Sequence, residues 1–160
     1  MLKKPKPKKK TANERKVESI FNNYTKELTK TFGNRATYTS ELNALGKHYF
    51  GTKYHGTYPS DMIPTLSVKQ PYAIINVDTS KQTGSHWVGV YRDAVKRKYL
   101  VFDSFGRKTK KLIPAMYKKY KPTDTDYDKN QKTSDSDCGF RSIAFLRVCH
   151  ELGWDAAKLI

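Results

Sequence analysis

Apolar residues near the start of the chain repeat at the spacing of one helix face. They are Val17, Ile20, Phe21, Tyr24 and Leu28. Glu and Lys residues stand between them, which is typical of an amphipathic helix lying on a core. The pattern predicts a helix from Glu14 to about Gly33. A second helix is predicted from Ser40, a favourable N-cap residue, to Gly51.

The middle of the chain is typical of β-structure. Three short runs rich in β-branched and aromatic residues predict strands at Tyr72–Asp78, His86–Asp93 and Lys98–Asp103. Only the four residues AVKR separate the last two runs, so these strands are predicted to form a hairpin. Before them, the segment GTKYHGTYPSDMIP (residues 51–64) is rich in turn formers and predicts an ordered surface loop.

The last third of the chain combines helices with a long polar segment. A short helix is predicted at Ile113–Tyr120, with Pro114 in its first turn. The segment Lys121–Asp137 has no hydrophobic period and predicts a loop, and loops of this length are uncommon unless they carry function. From Cys138 to Gly153 the pattern predicts a mostly buried helix.

The charge of the chain indicates polyanionic surroundings. Among 160 residues, 31 Lys and Arg outnumber 15 Asp and Glu, and the net charge of +16 favours nucleic acid or an anionic membrane surface. Residues 1–12 are predicted to be a disordered basic tail and residues 13–160 a single domain. The tail is either a solubilising end, a nuclear-import signal or a nucleic-acid arm, with candidate contacts Lys3, Lys4, Lys6, Lys8, Lys9 and Lys10. A second basic cluster comprises Arg107, Lys108, Lys110, Lys111, Lys118, Lys119 and Lys121.

The cysteine count and the hydropathy exclude other classes of protein. Cys138 and Cys149 stand only eleven residues apart, which is a poor disulfide framework, so both are predicted to be reduced thiols of an intracellular protein. Two cysteines with scattered histidines do not make a zinc site, and no metal is expected. No apolar run approaches the roughly 18 residues of a membrane span, and no signal-peptide pattern is present, so no membrane partner is expected.

One cysteine lies where a nucleophile is favoured. In SDSDCGFRSIAF (residues 134–145), Cys138 stands between a polar loop and the start of the last long helix, where unpaired amides and the helix dipole stabilise a thiolate. Gly139 leaves room for a substrate backbone. A cysteine before a helix is more often structural, so a base is needed to support this interpretation. The candidate bases are His48, His55, His86 and His150.

His86 is the best-placed of these histidines. It opens a predicted strand after the turn KQTGS, which holds a base rigidly, and Trp87 beside it is expected to shield an ion pair from water. His150 lies on the same predicted helix as the cysteine and cannot face it. His48 and His55 flank the tyrosine-rich loop.

The base needs an orienting acceptor, and Asp103 is the expected one. It ends the second strand of the predicted hairpin and so returns close to His86, although an aspartate at a strand end is also common in ordinary turns. Asp78 and Asp93 are the alternatives, but the hairpin places neither of them opposite the histidine.

Four segments in this order resemble the adenain-like cysteine proteases, the family of the adenovirus maturation protease. They are GSHWVGVYRD, YLVFDSFGR, KNQKT and DCGFRSIAFL. The resemblance extends from about Leu45 to about Leu146, and the family is similar to the SUMO-specific proteases of the same clan. It implies an α+β fold, papain-like or adenain-like, with a small central mixed sheet and the nucleophile at the N-terminus of a buried helix.

The resemblance also implies a role for each matching residue. His86 is the base, Asp103 the residue that orients it, and Cys138 the nucleophile. Gln131 is expected to donate from its side chain to the oxyanion hole, which the backbone N–H of the cysteine completes. No metal or other cofactor is required. On the charge of the chain alone, DNA is a candidate activator.

The function implied is that of a viral maturation endopeptidase. Its expected partners are capsid and other structural precursors, cut after Gly or another small residue, with Trp87 and Gly139 as substrate-binding residues. The expected location is the virion and the infected host cell, and the expected source is an adenovirus-like element such as a virophage or Polinton-type virus. We expect a monomer. The alternatives are a deSUMOylating or deubiquitinating protease of the same clan, and a non-catalytic basic DNA-binding protein.

Overall fold

The structure, a computed structural model, describes residues 8–126 and 136–160. Its helices are α1 (Ala12–Phe32), α2 (Thr39–Phe50), α3 (Thr109–Leu112), α4 (Pro114–Tyr120), α5 (Cys138–Leu152) and α6 (Trp154–Lys158). Its strands are β1 (Tyr54–Tyr58), β2 (Tyr72–Asn76), β3 (Trp87–Asp93), β4 (Lys98–Phe102) and β5 (Thr123–Asp124). A single 3₁₀ turn at Gly51–Lys53 connects α2 to β1.

The five strands form one mixed sheet in the order β1-β2-β3-β4-β5. The central pairs β2–β3 and β3–β4 are antiparallel, whereas β1 and β5 add to the two edges in parallel. The β3–β4 hairpin aligns Asp93 with Lys98 at its turn and Gly89 with Phe102 towards its open end. A mixed sheet of this kind with flanking helices is compatible with the expected α+β fold.

The sheet has a hydrophobic core on each face, because alternate residues of a strand point to opposite sides. On one face, Ile74 and Phe102 pack with the helices α1, α2, α5 and α6, and Phe145 of α5 is among the fully buried residues there. On the other face, Ile75 and Val101 pack against Met116 of α4. Helix α5 lies directly against β3, where a Cβ on Gly89 would come within 2.6 Å of the Phe145 ring.

Most predicted elements are confirmed within one or two residues. These are the first two helices, the three central strands with their hairpin, the helix that begins at Pro114, and the buried helix that begins at Cys138. The second helix starts at Thr39 rather than after Ser40, and the Glu41 carboxylate accepts a hydrogen bond from the backbone N–H of Tyr38, 3.2 Å away.

Two predicted loops contain strands, and these predictions are wrong in part. The segment 51–64 holds the edge strand β1, which a bulge between Tyr54 and Gly56 makes irregular. The segment 121–137 holds the two-residue strand β5, paired with Leu100 and Val101. Both strands are short or interrupted, so neither shows the alternation on which strand prediction depends.

The predicted tail lies mostly outside the described residues, which begin at Lys8. Lys8 and Lys9 are exposed, and the Lys10 ammonium contacts the Glu18 carboxylate at 2.8 Å. The side chain of Thr11 caps α1 by accepting from the Glu14 N–H at 3.1 Å. Among the helices that the structure describes, none combines the length and apolar character of a membrane span.

Candidate active site

The open end of the β3–β4 hairpin brings a histidine and a carboxylate together. His86 immediately precedes β3 and Asp103 immediately follows β4, so strand pairing places the two residues side by side although they are seventeen residues apart. The Nε2 atom of His86 is hydrogen-bonded directly to Oδ1 of Asp103. Both residues are buried, with His86 6% and Asp103 5% exposed. The hairpin therefore selects Asp103 over the two alternatives.

The second oxygen of Asp103 is held by Arg107. Oδ2 accepts from the backbone N–H of Arg107 at 2.9 Å and from its Nε–H at 3.0 Å. Burial alone would raise the pKa of the Asp103 carboxyl, but its hydrogen bonds with His86 and Arg107 outweigh burial and leave the pKa lowered. Asp103 is therefore kept as a carboxylate inside the protein.

Cys138 is the first residue of α5, and its thiol lies close enough to the His86 ring to raise the pKa of the imidazole. Because Asp103 takes Nε2, the ring nitrogen left for the thiol is Nδ1. Among the described residues, no side chain caps the N-terminus of α5. The N–H groups in the first turn of a helix, together with the helix dipole, stabilise negative charge, and the cysteine lies at this position.

The surroundings of the imidazole in the middle of this line favour its charged form. Burial lowers the pKa of His86, but the hydrogen bonds to Asp103 and Cys138 and the charges of both groups raise it more, so the pKa lies above its ordinary value. The ring of Phe105, with its centroid 5.1 Å from that of His86, covers one side of the imidazole. A line of thiol, imidazolium and carboxylate can deliver a nucleophile and then a proton.

A polar groove opens onto Cys138 and His86. Its walls come mainly from the segments 36–39 and 76–87. Trp87 lines it, and the indole N–H donates to the carbonyl of Thr37 at 3.2 Å, so the tryptophan joins the two walls. No Lys or Arg lines this groove within the described part of the chain, although the protein has 31 such residues. The groove suits an extended polypeptide better than a polyanion.

Gly139 lies beside the groove rather than in its lining. A Cβ atom at Gly139 would fall 2.0 Å from Oγ1 of Thr37, so the missing side chain makes room for that threonine. The Oγ1 atom of Thr37 is buried and has no hydrogen-bond partner among the described residues. Sequence patterns did not single out Thr37, and its contact with Gly139 is visible only in the fold.

Gln131 lies outside the described residues, as do Lys3, Lys4 and Lys6, so their predicted roles stay predictions. The basic cluster after β4 is described in full. Its six lysines are exposed, whereas Arg107 reaches back to Asp103. No group of three or more potential metal ligands occurs in residues 8–126 and 136–160.

The other histidines and the second cysteine make structural contacts away from the groove. His150 pairs through Nδ1 with the Tyr72 hydroxyl at 3.1 Å, and His55 pairs with the Tyr58 hydroxyl at 2.8 Å. Cys149 is buried in the core, and burial raises the pKa of its thiol well above the ordinary value. A thiol held neutral in this way is a poor nucleophile.

The line of Cys138, His86 and Asp103, in which the imidazole is hydrogen-bonded to the carboxylate and the thiol lies at a helix N-terminus beside a groove, is the arrangement of a cysteine protease. A family model described as adenovirus endoprotease matches residues 54–154, which is more than half of the chain. The chain therefore belongs to the adenovirus endoprotease family, a family of viral cysteine proteases. A search of curated proteins found no match to this chain.

Proposed function

We propose that this protein is the maturation endopeptidase of a virus and that it cleaves capsid and other structural precursor proteins. The observation that carries the proposal is the line Cys138–His86–Asp103, whose thiol and imidazole face a groove lined by polar, largely uncharged residues. The proposed place of action is the virion and the infected cell, in the virus factory, cytoplasm or nucleus.

The chemistry follows from the positions of the three side chains. The Cys138 thiolate attacks the carbonyl carbon of a peptide bond, and the His86 imidazolium gives its proton to the departing amine. Water, deprotonated by the now neutral imidazole, hydrolyses the thioester and releases the second product. Asp103 keeps Nε2 protonated and stabilises the imidazolium, so that Nδ1 is the nitrogen that exchanges the proton with sulfur and substrate.

The negatively charged oxygen of each tetrahedral intermediate has to be stabilised by hydrogen-bond donors. We assign this role to the backbone N–H of Cys138 at the start of α5 and to the side chain of Gln131. Trp87 lines the groove next to His86, where its large side chain would limit the space for the substrate, and this supports a preference for Gly or another small residue just before the scissile bond.

The test is cleavage of precursor-derived peptides that contain glycine. The wild-type protein and the Cys149→Ala variant should cleave such a peptide, while Cys138→Ala should be folded and inactive. A panel that varies the residue before the cut from Gly to Phe should show falling kcat/KM. Cleavage by Cys138→Ala would refute the nucleophile, and equal cleavage across the panel would refute the narrow groove.

Two alternatives give different outcomes in the same assay. A deSUMOylating or deubiquitinating protease would cut a ubiquitin-like fusion in preference to the precursor peptide. A non-catalytic DNA-binding protein would cut neither substrate. The thiol of Cys138 and the imidazole of His86 both line the groove. This arrangement favours the maturation endopeptidase over a non-catalytic DNA-binding protein.

We also propose that DNA binds to the outside of the protein, away from the groove. The lysines of the basic cluster are exposed, and none of them forms an ion pair with a described residue. They are Lys108, Lys110, Lys111, Lys118, Lys119 and Lys121. Phosphate contacts of this kind carry no base readout, and each one contributes about −0.9 to the slope of log K against log salt.

A salt titration of DNA affinity tests the contribution of the tail, and the slope that remains after its deletion reports the phosphate contacts of the folded surface. Deleting residues 1–10 should make the slope shallower by a few units for unrelated DNA sequences alike, and should leave peptide cleavage without DNA unchanged. Slopes that are identical for the full-length and shortened proteins would show that the tail does not contact DNA.

A further inference from the structure

We propose that Arg107 is a positioning residue of the active site, which acts by fixing the orientation of the Asp103 carboxylate. The inference rests on the proposed protease function, and it adds Arg107 to the line of Cys138, His86 and Asp103. Arg107 follows Asp103 by four residues in the tight turn after β4, and both its backbone N–H and its Nε–H donate to the same oxygen, Oδ2. This leaves Oδ1 for His86.

Oδ2 of Asp103 has to be held in place if Oδ1 is to stay directed at His86. A carboxylate attached through a single rotatable bond can turn either oxygen towards a neighbour, and only one orientation keeps Oδ1 in line with the imidazole. Two donors at 2.9 and 3.0 Å on Oδ2 oppose that rotation. The Asp103 side chain is only 1% exposed, so water is not available as a substitute donor.

The rest of the Arg107 side chain supports the same arrangement. Its guanidinium carbon lies 5.1 Å from the centre of the Phe105 ring, and that ring lies 5.1 Å from the ring of His86. Arg107 thus contacts two side chains that themselves contact His86, the carboxylate of Asp103 and the ring of Phe105. Arg107 does not line the groove, so its effect should fall on turnover and not on substrate binding.

Three substitutions separate the hydrogen bond of Arg107 from its charge. In Arg107→Gln the side-chain amide nitrogen occupies the place of Nε, so the donor stays and the charge goes. In Arg107→Lys the charge stays, but a carbon replaces Nε. Arg107→Met removes both the donor and the charge while keeping an unbranched chain that packs on Phe105. In every variant Asp103 keeps the backbone N–H of residue 107 and His86, so the fold should survive.

The first measurement is kcat and KM for a cleaved peptide. Arg107→Met should lower kcat about tenfold, the change that corresponds to losing one hydrogen bond to a charged group, with KM unchanged. The kcat of Arg107→Gln should be close to the wild-type value, and that of Arg107→Lys should lie between the values of the Gln and Met variants. The matched control is Arg97→Met, the same substitution in the turn at the far end of the hairpin. Wild-type kcat in Arg107→Met, or equal losses in the Gln and Met variants, would overturn the proposal.

The second measurement needs no substrate and so stands apart from the proposed function. NMR titration of the His86 ring in the Cys138→Ala background reports the pair with Asp103 directly. The Gln and Met variants both lose the positive charge that opposes the imidazolium, so the difference between them isolates the hydrogen-bond donor. The pKa of His86 should be lower in Arg107→Met than in Arg107→Gln, and lower in Arg107→Lys than in the wild type, because the Asp103 carboxylate is then held less firmly against the ring. A titration that is identical in all four proteins would show that Arg107 has no influence on the pair. Normal titrations without any peptide cleavage would instead contradict the protease function.

Discussion

Gly139, the second residue of α5, is the position at which one added methyl group should disturb the nucleophile most. A Cβ atom there would lie 2.0 Å from Oγ1 of Thr37 and 3.2 Å from Cδ2 of Leu42. The first distance is far below the roughly 3.5 Å at which non-bonded carbon atoms meet, and both neighbours are buried. Gly139→Ala therefore requires either α5 to move or Thr37 to rotate.

Two effects of opposite sign set the size of the change. Alanine in place of glycine within a helix stabilises by about 0.5–1 kcal/mol. Overfilling a packed site costs about 1–3 kcal/mol. We expect Gly139→Ala to lower the free energy of unfolding by about 1–2 kcal/mol in total. Each kcal/mol lowers the melting temperature of a chain of this size by roughly 2–4 °C. Turnover should fall as well, because Cys138 is the adjacent residue.

Thermal unfolding and peptide cleavage measured on Gly139→Ala, Thr37→Ala and the double variant test this reasoning. Thr37→Ala removes the atom at 2.0 Å, so the double variant should regain most of the lost stability. Recovery of turnover together with stability would assign Gly139 a packing role. Stability without turnover would favour direct substrate approach at this glycine. Wild-type stability and turnover in Gly139→Ala would refute the close contact.

Three more predictions concern the proposed catalytic groups and the second thiol. Folding raises the pKa of His86 and lowers that of Asp103. Their pairing should therefore stabilise the fold most between about pH 4 and 6.5, the ordinary values of the two groups, with losses as pH rises through the folded His86 pKa or falls through that of Asp103. Asp103→Asn should flatten this dependence of the unfolding free energy, and an unchanged profile would contradict the pairing. Gln131→Ala should lower kcat by about 10²–10³, and a near-normal rate would place Gln131 away from the oxyanion. Cys149→Ala should cost about 1 kcal/mol of stability and leave peptide cleavage intact; an inactive variant would argue that Cys149 takes part in the chemistry.

The sequence predicted those parts of the fold in which local pattern and tertiary environment agree. The face of α1 and the fully buried strand β2 show clear hydrophobic patterns, and both were located correctly. Strand β1 was missed because its bulge at Gly56 breaks the alternation, and because its pairing with β2 is a contact between distant segments. The two residues of β5 are too few to form a pattern.

The candidate site could be predicted as far as strand pairing dictates it. A hairpin brings together its two open ends, so the proximity of His86 and Asp103 followed from the short turn between β3 and β4. The contacts of Arg107 and Thr37 did not follow. Arg107 was grouped with the lysines by charge alone, although the tight turn folds it back onto Asp103. Thr37 precedes α2, and only the packing of that segment on α5 brings it to the cysteine.

Helix α5 packs on β3 at Gly89, and this contact sets the distance between the two halves of the proposed active site. The histidine and its aspartate belong to the hairpin, whereas the cysteine belongs to the helix. Their separation is thus a helix-to-sheet spacing, and a side chain on Gly89 would come within 2.6 Å of Phe145 and force that spacing to grow. A residue in the middle of the sheet, which does not line the groove, would thereby determine the distance between the thiol and the imidazole. Variants at Gly89 should then lose the thiol–imidazole pair while keeping the imidazole–carboxylate pair.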